Sequence, residues 1–153
     1  MFPKWHLIFS FIFCFILAFI FNLPILYLSI IFLASILIDL DHIPIYFFKT
    51  KDLHPIRFLE WHKRNKNEWK KLSKKERLKY KEPHLILHGL EFIFVLLILS
   101  LFSTIFLCIL IGVLFHLVLD FIVLIYEREH PALKTSQIWL WQRNKNRKEF
   151  KFT

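Results

Sequence analysis

The chain has 153 residues, 56% of them hydrophobic, with nineteen phenylalanines, two glycines and a formal charge of +9 at neutral pH. So little polar surface could not cover the core of a water-soluble globule, which excludes an ordinary soluble enzyme and makes a lipid bilayer the expected solvent. The excess charge does not imply nucleic acid, because none of the 21 Lys and Arg falls within residues 5–45 or 83–126, and anionic membrane lipid is the expected partner instead.

Residues 5–42 form an apolar stretch that would extend about 57 Å as one helix, nearly twice the roughly 30 Å hydrocarbon core. Asn22-Leu23-Pro24 divides it into spans over 5–21 and 25–42. More apolar sequence follows that break, without the small residues of a cleavage site, so the first span is expected to be retained. Pro44 disfavours helical geometry at the residue before it, and the second span is expected to end at Asp41 or His42. The two cysteines, Cys14 and Cys108, lie inside apolar runs and read as small buried hydrophobes.

Residues 46–82 are of another kind: thirteen Lys and Arg stand against five Asp and Glu in 47–82. This is a basic loop that cannot cross a bilayer. Ser73-Lys74-Lys75-Glu76 fits a capping box and predicts a helix running to about Lys81. Trp61, Trp69, Leu72, Leu78 and Tyr80, scattered among the lysines, suit the lipid headgroup region, although a solvated linker would read the same way. Pro83 is suited to open a third span over 83–101, and the polar cluster from Ser100 to Thr104 separates it from a fourth over 105–126. A basic tail over 127–153 completes a single membrane domain, with Trp139 and Trp141 as interfacial residues. Lys4, the basic loop and the tail all fall at one end of the two helical hairpins. The expected fold is therefore an all-α membrane protein of four transmembrane helices in the cytoplasmic, inner membrane, with loop and termini cytoplasmic.

Ionisable groups inside such helices are costly and are functional by default. His84, His88 and Glu91 are spaced four and three apart, which places them on one face of a helix over 83–101. His116 and Asp120 share a face of the fourth span. Asp39, Asp41 and His42 end the second span, and His6 begins the first. All are expected in the cytoplasmic half. Carboxylates and imidazoles from facing helices are the usual means of building a metal site in a bundle, so Asp39, Asp41, His42, His84, His88, His116, Asp120 and His6 are candidate ligands for one or two divalent ions: zinc, manganese or iron. The same groups are also compatible with ordinary buried polar pairing.

These motifs resemble the membrane-bound, metal-dependent hydrolases of the YdjM type. That family's pattern looks like Pro-Asp-x-Asp-His, two central histidines, then Gly-x-x-x-His-x-x-x-Asp. Asp39, Asp41 and His42 match the first, and Gly112, His116 and Asp120 the last. Ile38 replaces the proline, and the residues usual around the central histidines are missing beside His84 and His88. The resemblance implies hydrolysis.

The chemistry expected is attack by a metal-activated water, with Glu91 or Asp120 as general base and the cationic loop attracting an anionic small-molecule or phospholipid-like substrate. A transporter or channel for metal ions or protons would use the same residues as a relay. A membrane anchor whose basic loop recruits lipid or a partner would need none of them.

Overall fold

The structure, a computed structural model, describes residues 3–127 and 136–150. Residues 128–135 and 151–153 of the tail, His130 among them, lie outside the described residues. The described chain is helical, with eight α-helices and two 3-10 turns, and its only strand-like feature is an isolated bridge between Tyr80 and Lys148. Three helical segments are long and apolar enough to cross a membrane: Lys4–Phe21, Ile25–Thr50 and Thr104–Tyr126.

Helix α1 (Pro3–Phe21) and helix α2 (Ile25–Leu37) are separated at the predicted place. Asn22 takes a left-handed φ of 52°, one of the few non-glycine residue types that tolerates it, and Pro24 caps α2. The helical run does not stop at Asp41 or His42 as predicted. Leu37 passes into a 3-10 turn, Ile38–Asp41, and then into α3 (His42–Thr50). Pro44 is accommodated in the first turn of α3, where its missing N–H has no intrahelical acceptor to lose. Lys51, at a left-handed φ of 57°, ends the run.

The basic loop is more ordered than a linker. It contains α4 (Pro55–Lys71) and the single turn α5 (Lys74–Arg77). The capping box forms: Ser73 N–H donates to Glu76 Oε2 at 2.8 Å and Glu76 N–H to Ser73 Oγ at 3.3 Å. The helix it starts ends at Arg77 instead of Lys81.

The segment predicted as a third span is helical only in part. Residues 83–85 are non-helical, Ile86–His88 is a 3-10 turn, and α6 covers Leu90–Ser100. Gly89, at φ −82° and ψ 151°, is extended and starts α6 afresh, so His84, His88 and Glu91 do not share one helical face. Eleven residues extend only about 16 Å, roughly half the hydrocarbon core. Ser103 then caps α7 (Thr104–Tyr126) by accepting from Ile105 N–H, within the predicted turn. A final helix, α8, covers Gln137–Asn144.

The chain divides into two compact units. The first comprises residues up to Asp39 together with Ile86–Ser136. Its helices α1, α2, α6 and α7 pack through two apolar clusters, one around Cys14, Leu28, Ile31 and Cys108 and one around Ile38, Leu96, Leu110 and Val113. Outward, Phe11, Phe15 and Phe19 recur every four residues along α1 and are strongly exposed, as suits a helix whose solvent is lipid.

The second unit comprises Leu40–Leu85 and the residues from Gln137 onward. Tyr46 is buried there, with its ring edge-on to Phe58 and Trp61. Its hydroxyl donates to Asp52 at 2.5 Å, and Asp52 also accepts from His54 N–H and pairs with Arg57. The Tyr46 hydrogen bond above all, with the His54 amide and the Arg57 charge, holds the Asp52 carboxyl below its ordinary value of 3.8. A second polar knot ties α8 down: Glu82 binds Arg143 and lies 3.7 Å from Arg147, while Asn144 donates to the Glu82 carbonyl at 2.9 Å. Trp61 and Trp69 are half-buried, with their rings edge-on to Tyr46 and Phe150 respectively.

Candidate metal centre

Five of the predicted site residues converge in the first unit. His6 comes from the first turn of α1, Asp39 from the 3-10 turn after α2, His88 from the end of the turn before α6, and His116 and Asp120 from successive turns of α7. His6, His88, His116 and Asp120 are buried, and Asp39 is partly so.

Close approach of α2 and α7 creates the site. Gly112 lies one turn before His116, and a Cβ there would run into the Ile31 carbonyl, stand 2.9 Å from the Ala34 Cβ and stand 3.1 Å from Ser35 N. Only glycine lets the two backbones come this near. As a result the His116 imidazole reaches across to α2, and its Nδ1 lies 2.7 Å from the Ser35 carbonyl oxygen. A carbonyl can only accept, so Nδ1 carries the proton and donates. The lone pair is thereby fixed on Nε2, which makes no hydrogen bond among the described residues.

That lone pair faces carboxylates. His116 Nε2 is 3.5 Å from Asp39 Oδ1 and 3.9 Å from Asp120 Oδ2, and His88 Nε2 is 3.7 Å and 3.9 Å from the same two oxygens. These separations exceed the roughly 2.7–3.2 Å of a hydrogen bond. They are close to the ~3.3 Å between neighbouring ligands that each lie about 2.0–2.1 Å from a tetrahedral zinc ion. His6 Nε2 is 3.4 Å from the other oxygen of Asp120, and its ring stacks on His116 at 4.0 Å. Within the first unit two triads, His6 with Asp39 and His116, and His88 with His116 and Asp120, each offer donor atoms within 4.8 Å of one another and could hold a metal ion.

Charge balance favours a cation. Two carboxylates lie among imidazoles in an apolar bundle whose stretches 5–45 and 83–126 contain no Lys or Arg. Carboxylates removed from water without a cation carry a desolvation cost of several kcal/mol each by order of magnitude. The donor set, neutral imidazole nitrogen with carboxylate oxygen, suits zinc, manganese or iron.

The other predicted residues are placed differently. Glu91, in the first turn of α6, accepts the Ser136 hydroxyl at 2.6 Å. Asp41, His42 and His84 belong to the second unit, where the His42 ring is edge-on to His62 at 5.1 Å and His84 Nε2 is 3.3 Å from the Asn144 amide nitrogen. Sequence reasoning missed the Ser35 carbonyl, the role of Gly112, and Ser10, which is buried with no hydrogen bond to its hydroxyl among the described residues. Each lies one helical turn from a site residue: Ser10 from His6, Ser35 from Asp39 and Gly112 from His116. Small residues at that spacing were the available signal.

Compared with protein-family models, curated proteins and solved structures, the chain matches none.

Proposed function

We propose that the protein is a membrane-embedded, metal-dependent hydrolase of a phosphoester or phospholipid-like substrate, of the YdjM type that its motifs resemble. The observation that carries this reading is the His116 imidazole, whose Nδ1 is committed to the Ser35 carbonyl while Nε2 points at Asp39 and Asp120. Ligating histidines are ordinarily oriented this way by a partner on the far nitrogen.

His116, with His88 and Asp120 or with His6 and Asp39, would hold the ion, and the donor set suits zinc, manganese or iron. A divalent ion bound there supplies Lewis acidity and a nucleophilic water at neutral pH. His6 orients Asp120 through the carboxylate oxygen that faces it. Glu91, or a carboxylate oxygen of Asp120 that does not hold the ion, would take the proton. In this reading the chain crosses the inner membrane four times as two hairpins, with α6 and its preceding turn forming the third crossing. The Lys and Arg distribution puts the loop and termini in the cytoplasm.

Elemental mass spectrometry of detergent-purified protein tests the proposal. Wild type should carry one or two transition-metal ions per chain, and His116→Ala and Asp39→Ala should lose them. A folded wild type that takes up no zinc, manganese or iron would end the hydrolase reading. Metal retained without phosphoester hydrolysis, but with ion flux in proteoliposomes, would replace it with a transporter.

A further inference from the structure

The outward face of α4 changes character along its length. Phe58, Trp61, Asn65 and Trp69, at helical spacing, turn inward, with Phe58 and Trp61 edge-on to Tyr46 and Trp69 edge-on to Phe150. Opposite them lie Ile56, Leu59, Lys63, Lys66 and Lys70, spaced three and four apart on the other side of the helix. The first two are apolar and exposed, and the rest are basic.

The apolar end has neighbours of its own kind. Phe48 and Leu53 are exposed at 70% and 65%, as are Ile56 at 62% and Leu59 at 50%, which is far more apolar surface than a water-facing corner needs. The corner closes the apolar segment Ile25–Thr50, and the Lys51 ammonium stands 5.7 Å and 5.6 Å over the Phe47 and Phe48 rings. A lysine placed over aromatic rings at the end of an apolar helix suits the boundary between acyl chains and headgroups.

We propose that α4 is an interfacial helix seated in an anionic lipid leaflet, its Ile56–Leu59 end dipping into the acyl boundary and Lys63, Lys66 and Lys70 lying on lipid phosphates. The change from apolar to basic along one face gives the helix a tilt, deepest where it adjoins the end of the apolar segment. Charge complementarity selects the lipid: residues 47–82 hold thirteen Lys and Arg against five acids. Nucleic acid would satisfy the lysines and leave Phe48, Leu53, Ile56 and Leu59 in water. The inference rests on the bilayer reading of Ile25–Thr50 and not on the metal centre, so loss of metal would leave it intact.

The test uses the full chain in nanodiscs of phosphatidylcholine alone or mixed with phosphatidylglycerol. A nitroxide attached through Leu59→Cys should be shielded from a water-soluble nickel chelate and open to oxygen in both, and amide exchange in α4 should slow when phosphatidylglycerol is added. The anionic preference should fall about fivefold for each of Lys63→Gln, Lys66→Gln and Lys70→Gln, as expected for roughly 1 kcal/mol per basic residue at such a surface. Lys63 and Lys70 are exposed and Lys66 is partly buried, and circular dichroism verifies that each variant keeps the fold. A Leu59 label as open to nickel in nanodiscs as in urea-unfolded protein would overturn the proposal. So would α4 protection that appears only with an added oligonucleotide, or only with rising protein concentration.

Discussion

Both units hold acids at least partly withdrawn from solvent, and they treat them in opposite ways. In the second unit Glu82 is held by Arg143, Arg147 and Asn144, and Asp52 by Tyr46, His54 and Arg57, with donors at hydrogen-bonding or ion-pair distance. In the first, Asp39 and Asp120 face imidazoles at 3.4–3.9 Å, with no Lys or Arg in the membrane stretches to neutralise them. A polar cluster that holds a fold together is closed on itself; in the first unit the Nε2 atoms of His6, His88 and His116 make no hydrogen bond among the described residues and stand at the spacing of ligands around an ion.

The largest expected effect comes from removing a donor. His116→Ala should lower metal retention more than about a hundredfold, read by elemental mass spectrometry against a zinc buffer series, whereas Glu82→Gln should leave retention unchanged. Equal losses in both variants would mean that the two clusters do not differ in kind.

Gly112→Ala separates geometry from chemistry, since it removes no donor. The added methyl forces α2 from α7 and pulls the Ser35 carbonyl from His116, so metal affinity should drop about 10–100-fold, the range seen when the partner of a ligating histidine is lost. Unchanged affinity would show that Ser35 does not orient the ring.

Glu82→Gln should instead destabilise the second unit by about 1–3 kcal/mol, because Arg143 and Arg147, only 13% and 14% exposed, lose their counter-charge. Thermal unfolding in detergent, followed by Trp fluorescence, would show it. A melting temperature equal to wild type would make the knot incidental.

The smallest effect is a pH dependence at Asp52. Its carboxyl is held below 3.8, so its contribution is complete above about pH 4 and is lost as pH falls through the lowered folded value. Amide exchange at His54 and Arg57 should accelerate in that acidic window in wild type. Asp52→Asn should abolish the acceleration, and an unchanged profile would remove Asp52 as its source.

How much of this was legible depended on whether a feature is local. Asn22-Leu23-Pro24, Ser100 to Thr104 and the Ser73–Glu76 capping box are decided within a few residues, and each forms where the sequence places it. His116 and Asp120 were legible because an uninterrupted helix puts residues four apart on one side. The same rule failed for His84, His88 and Glu91, where extended Gly89 breaks the helix that the spacing presupposed. The Ser35 carbonyl could not be read from side-chain type, since it is main chain and acts only because Gly112 lets α7 approach it.

The bridge between Tyr80 and Lys148 also sets an order of events in folding. Lys81 N–H donates to the Lys148 carbonyl at 2.8 Å and Lys148 N–H to the Lys79 carbonyl at 3.0 Å, while Glu82 N–H is bonded to Asn144, 62 positions away. Closing a free loop of that length costs conformational entropy that grows with its logarithm, and α6 and α7, which lie within it, shorten the loop once they are helical. During synthesis the basic segment therefore waits for its C-terminal complement, which emerges from the ribosome only after α7 has been made.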